Sequence, residues 1–260
     1  MSAFTDAWHA WRERRESTLT NPHGFLAITS INWLTEAPQR FRDAPGEWRS
    51  DATGVHVTLA DGEGLVVDGR PVSGTHHFGP IPEGDDVKVG WGEAVIEVAT
   101  RGGNHIVRPR HPGSQILAAY RGTPAYAPRP EWAVPGRFVA ADVPRTVLGG
   151  SVVDGLVLEH TSPGTIEFEV AGVPQSLVAF SDGDDPELSV LFTDRTSGVT
   201  TYRACRILTV GVPAADGSLV VDFNRSSNLP CAYTPMATCP LPPPENRLTI
   251  AVEAGEMLPL

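Results

Sequence analysis

The sequence predicts a mostly β protein: two β-units of sandwich or barrel type, preceded by an N-terminal helical segment. Three observations carry that prediction. The 26 Gly and 24 Pro of 260 residues follow no repeat period, which favours short elements and turns over long helices. Short runs of alternating apolar and polar residues recur from about residue 46 to the C-terminus, the period-2 signature of half-buried strands. Nowhere do such runs alternate with helical ones, so neither a Rossmann nor a TIM architecture is expected.

The elements follow in chain order. Over residues 4–19, Phe4, Ala7, Trp8, Trp11 and Arg15 share one face at helical spacing, and Thr5-Asp6 could cap the start. Asn21-Pro22 ends this helix, and the apolar stretch HGFLAITSINWL around Trp33 follows, closing an N-terminal segment of residues 1–45. A first β unit spans 46–127. Its predicted strands are VHVTL, GLVVDG, THHFG, AVIEVAT, HIVRPR and QILAAYR, with turns at Asp61-Gly62, Asp68-Gly69 and Gly102-Gly103. Arg101, His105, Arg108, Arg110, His111 and Arg121 form a local basic cluster that reads either as the solvated edge of a sheet or as an anion site. The Pro-rich segment GTPAYAPRPEWAVP connects to a second β unit, 136–260, with predicted strands that include TIEFEVAG, ELSVLFT, TTYRACRILTV, SLVVDF and RLTIAVEAG. Asp194, Thr196, Ser197 and Gly198 supply a hairpin turn there.

Composition narrows the function classes. A net charge of −11 argues against nucleic acid and anionic membrane surfaces as partners, since both select a basic footprint. The N-terminus has no apolar signal region, and no apolar run reaches the roughly 18–20 residues that span a bilayer. The expected location is therefore cytoplasmic. Cys205, Cys231 and Cys239 are then most simply free thiols, with a Cys231–Cys239 disulfide as the alternative. A homodimer is the protein assembly left open.

No G-x-S-x-G elbow, H-E-x-x-H helix, Walker A loop or G-x-G-x-x-G turn is present, and nothing specifies a cofactor. Polar residues on otherwise apolar strands remain. Tyr202 and Arg206 share a face of one predicted strand, Asp222 and Asn224 a face of a second, and Glu253 lies on a third, with Glu256 just beyond it. An inward charge is costly by several kcal/mol unless paired, so Arg206 is expected to meet Asp222 or Glu253. Such a set is either a buried structural network or the lining of a pocket for a small polar or anionic molecule.

The loop 225–246 between the last two strands carries Asn228, Cys231, Cys239 and six prolines from Pro230 to Pro244, which deliver Glu245 on a stiff segment. The two cysteines lie too far apart for a zinc knuckle. Asp222, Glu245 and Glu253 are the expected acid or base groups. Tyr202, Arg206, Asn224, Asn228, Cys231 and Cys239 are the expected ligand contacts, and no metal site is expected. The alternatives are a non-enzymatic interaction module built on the N-terminal helix, and a metal-dependent enzyme using the same three carboxylates.

The block DFNRSSNLPCAYTPMATCPLPPPENRLTIAVEAGE, with weaker matches at FTDRTSGVTTYRACRIL, RGGNHIVRPRHPGS and HGFLAITSINWL, resembles the bacterial domain-of-unknown-function family numbered 1684. Arg225-Ser226-Ser227 departs from it, standing where the family pattern carries an aromatic-containing segment. The resemblance implies a site in the C-terminal block and no particular activity.

Overall fold

The computed structural model describes residues 2–181 and 186–259. The chain is mostly β, with three antiparallel sheets and one long N-terminal helix. It divides into two compact units. The smaller comprises residues 17–120 and 234–237; the larger comprises 1–16, 121–233 and 238–260.

Helix α1 (Ala3–Leu19) forms where the apolar spacing predicts it. Its cap is Ser2, not Thr5-Asp6: Thr5 N donates to Ser2 Oγ at 3.3 Å. Asp6 sits instead in the first turn, where its charge complements the helix dipole.

The smaller unit holds ten strands: β1 (Asn32–Trp33), β2 (Gln39–Phe41), β3 (Ala44–Asp51), β4 (Gly54–Thr58), β5 (Leu65–Val67), β6 (Arg70–Val72), β7 (Thr75–Gly79), β8 (Asp86–Trp91), β9 (Ala94–Arg101) and β10 (Asn104–Arg110). They form a four-stranded sheet, β2-β3-β4-β7, and a six-stranded sheet, β1-β10-β9-β8-β5-β6. The β5–β6 turn adopts the left-handed backbone that Asp68-Gly69 predicts, with φ of 48° and 73°. Trp48, Val55 and Val57 of the first sheet and Val89, Ile96, Val98 and Val107 of the second belong to one core. The predicted strand QILAAYR is instead a short helix, α2 (Gln115–Ala119), begun by the bond from Ala118 N to Ser114 O. So short an apolar run is ambiguous by periodicity, and its Leu-Ala-Ala core favours helix.

The basic cluster also reads differently in three dimensions. Glu97 on β9 faces Arg108 on β10 directly across the antiparallel pair, and Arg101 and Arg110 lie two or four residues along on the same face. All three guanidinium groups bind the Glu97 carboxylate, which is 1% exposed. Three of the six basic residues thus surround an anion that the chain itself supplies. Burial alone would raise the Glu97 pKa, but the Arg108 hydrogen bond and the Arg108 and Arg110 charges outweigh it and hold the group at about 2.

The larger unit is a seven-stranded sheet of β11 (Ala133–Gly150), β12 (Val157–Val170), β13 (Val173–Ser181), β14 (Leu188–Phe192), β15 (Arg206–Gly211), β16 (Ser218–Asp222) and β17 (Ser227–Asn228), ordered β16-β11-β12-β13-β14-β15-β17. In β12 the alternation holds as predicted: Ile166 and Phe168 are buried, and Glu167 and Glu169 are exposed. Their core includes Phe192, Leu208, Val221, Phe223 and Val252.

Two predicted strands of this unit are altered. Strand β15 begins at Arg206, because residues 193–205 form a folded loop in which Thr196 O accepts from the amides of Val199, Thr200 and Thr201. The segment RLTIAVEAG forms no strand, and side chains stand in for a neighbouring strand along it.

Candidate functional site

Arg206 is 1% exposed on the first residue of β15. Its partner is Asp194, at 2.8 Å, and not Asp222 or Glu253 as the alternation suggests. The remaining donors of its terminal nitrogens go to the backbone: one nitrogen to Ala254 O, the other also to Val252 O at 3.0 Å. Asp194 Oδ1 accepts from the amides of Thr196 (2.6 Å) and Val252 (3.3 Å). Burial lowers the Arg206 pKa, and Asp194 opposes that shift. The pair therefore acts as a clamp on residues 252–254. Sequence reasoning assigned Asp194 to a turn and missed this role.

Glu256, noted only as lying beyond the last strand, is fully buried. Its carboxylate receives Arg12 at 2.9 Å, Arg15 at 3.0 Å, the amide of Asn228 at 2.6 Å and the Tyr233 hydroxyl at 3.3 Å. Burial works against the Arg15 charge, but Glu256 more than offsets it and the Arg15 pKa is raised. Tyr233 is pushed up to about 12 by burial and by Glu256. Trp8 Nε1 adds a bond to Asn224 O at 3.0 Å. The face of α1 predicted to pack thus docks largely through polar groups. Gly255 makes the approach feasible: it has φ of 78°, and a Cβ there would lie 2.5 Å from Ser226 O.

Asn224 and Asn228 also serve the backbone. Asn224 bonds the amide and the carbonyl of Arg129, and Asn228 Nδ2 donates to Met257 O at 2.8 Å. Glu245 is exposed, with Arg145 at 4.0 Å, and Glu253 is exposed as well. The buried residue of the pair delivered by the prolines is Asn246, which joins Val178 of β13 to Leu191 of β14 through three hydrogen bonds. Among the described residues no three His, Cys, Asp or Glu side chains come together as a metal site, so Asp222, Glu245 and Glu253 do not form a ligand set.

The thiols do converge. Cys231 N donates to Cys239 Sγ at 3.2 Å, Cys205 Sγ lies 3.6 Å from Pro240 O, and all three cysteines are free. The Cys239 thiol and the Tyr202 hydroxyl hydrogen-bond Cys231, lowering its pKa. Cys239 is driven up by the same bond and by burial. Cys205 is raised to about 12 by burial and Cys231, and Tyr202 to about 12 by burial and Cys231.

Of the three expected acids, Asp222 alone lines a cleft of this unit. That cleft has a volume of about 620 Å³ and is bordered by Trp11, Arg15, Thr209, Asp222, Arg225 and Ser227, among others. Asp222 ends β16, caps Asn224 N at 3.2 Å and pairs with Arg225 Nε at 3.1 Å. The Arg225 side chain is 41% exposed, and among the described residues its two terminal nitrogens have no hydrogen-bond partner. Periodicity offers no signal for Arg225.

Among the described residues no helix is long and apolar enough to cross a membrane. No curated protein matches the chain. A solution NMR structure of an uncharacterised protein of Haloarcula marismortui is similar at 28% identity, over 54% of this chain and 78% of that one, with a TM-score of 0.46. Residues 118–257, more than half of the chain, match the family described as a protein of unknown function, DUF1684, and the chain belongs to that family.

Proposed function

We propose that the larger unit binds a small polar molecule bearing a carboxylate or phosphate, in the cleft beside Asp222. The observation that supports this reading is the Arg225 fork. Its Nε lies 3.1 Å from Asp222 as an ion pair, which keeps the guanidinium beside that carboxylate, while its terminal nitrogens remain available for a planar or tetrahedral anion. Trp11 supplies an apolar wall, and Thr209 and Ser227 supply hydroxyl-bearing neighbours. Arg206, one of the expected ligand contacts, contributes through the fold by clamping residues 252–254, and Arg225 takes the anion-binding role instead.

The reading is tested by thermal denaturation with inorganic phosphate, succinate and citrate, against sodium chloride of equal ionic strength. A ligand held at 100 times its Kd stabilises by about 2.7 kcal/mol, so at least one anion should raise the Tm by several degrees. Arg225→Gln should remove that rise, while the exposed Arg145→Gln should keep it. An equal rise in Arg225→Gln, or no anion-specific rise in the unmodified protein, refutes the proposal.

A further inference from the structure

The smaller unit contains a cavity of about 1010 Å³ that the reading above does not use. Its wall carries Asp43, in the turn between β2 and β3, together with Thr29, Ser30, Trp91, Ile116 and Met236. Asp43 is held rigidly. The Ser30 hydroxyl lies 2.9 Å from each of its carboxylate oxygens, and Thr29 Oγ1 donates to one of them. Asn32 Nδ2 donates to Ser30 Oγ at 2.9 Å, which orients the serine proton toward Asp43. These donors fix the carboxylate without neutralising it, and among the described residues it has no ion-pair partner. Arg42 and Glu93, the other charged lining residues, are both exposed.

Trp91, the last residue of β8, keeps 37% of its surface exposed on this same cavity. A partly exposed indole and a carboxylate without an ion-pair partner, on the wall of one cavity, are the groups that recognise organic cations: the ring quadrupole attracts the charge, and the carboxylate accepts its N–H bonds. Ile28, Pro109, Ile116 and Met236 add apolar surface, with His111, Ser114 and Gln115 as further polar lining, and the volume suits a molecule of metabolite or drug size.

We infer that this cavity is a binding site for an amphipathic organic cation, an amine on an aromatic or alkyl body, with the ammonium on Asp43 and Trp91.

The test is calorimetric titration of the full chain with three probes of one shape: phenethylamine, phenethyl alcohol and 3-phenylpropionate. The amine should bind saturably and about tenfold or more tighter than the alcohol, the worth of one charged hydrogen bond, and the acid should bind more weakly than both. Asp43→Asn should bring amine and alcohol within about twofold of each other. Trp91→Leu, at a partly exposed site, should weaken the amine severalfold. Arg225→Gln should leave amine binding intact, which separates this site from the anion cleft. The inference is overturned by an absence of saturable amine binding, by equal affinity for amine and alcohol, by preference for the acid, or by a preference that survives Asp43→Asn. The three-probe comparison on unmodified protein decides the matter even if a variant misfolds.

Discussion

Cys231 shows how one residue's chemistry is set by what reaches it. As a member of a three-thiol cluster it is the half-buried one, and the bonds from Cys239 and Tyr202 favour its thiolate. Cys205 and Cys239 are buried and shifted the other way. Iodoacetamide under mild conditions should therefore label Cys231 first, by roughly tenfold or more over the other two, as read by peptide mass spectrometry. Equal labelling of the three would contradict this ordering. From sequence, the seven-residue separation of Cys231 and Cys239 argued only against a zinc knuckle. That Tyr202 and Cys205 join them follows from the folded loop 193–205, which no period-2 pattern encodes. Arg225 was hidden for a related reason, since its value lies in which of its nitrogens Asp222 leaves available.

Among the elements, the segment 247–256 departs furthest from its prediction. Its alternation is that of a strand, yet its backbone groups are met by the side chains of Arg206 and Asp194 and by the loop around Thr193 and Arg195. Arg206→Ala removes a buried cation and leaves Asp194 unpaired, which should cost about 3–5 kcal/mol, seen as a lower urea midpoint. Amide hydrogen exchange at Val252 should accelerate in the same variant, because its acceptor Asp194 loses the partner that positions it. Unchanged exchange there would show that the segment is held by other means. Helix α1 makes the complementary point. The sequence placed Trp8, Trp11 and Arg15 on one face, and the structure adds that Arg12 and Arg15 neutralise Glu256.

At the scale of the molecule, the three buried carboxylates among the described residues, Glu97, Asp194 and Glu256, are each held by one or more arginines. A planar fork that can bind two oxygens at once suits these positions better than a lysine would, and the chain contains a single lysine. Glu97 gives this arrangement a pH signature. Its folded pKa is depressed from 4.5 to about 2, so its contribution is fully present above the unfolded value and is lost as pH falls from about 4.5 toward 2. A depression of that size corresponds to roughly 3 kcal/mol. Stability measured by urea denaturation should fall over that window, and Glu97→Gln should flatten the fall while lowering stability near neutral pH. A variant whose acid profile parallels that of the unmodified protein would show that Glu97 is not the group responsible.

Period-2 alternation, turn chemistry and helical spacing determined the mostly β class, the N-terminal helix, the Asp68-Gly69 hairpin and the buried face of β12, because these depend on interactions between residues close in sequence. The expectation that inward charges must be paired was also sound at that level. The choice of partner was decided only by the tertiary structure: Asp194 for Arg206, the arginines of α1 for Glu256, Arg108 and Arg110 for Glu97, and Asp222 for Arg225. Pairing energies depend on distance and burial, and those are properties of strand register and loop path, which the order of residue types along a chain does not encode.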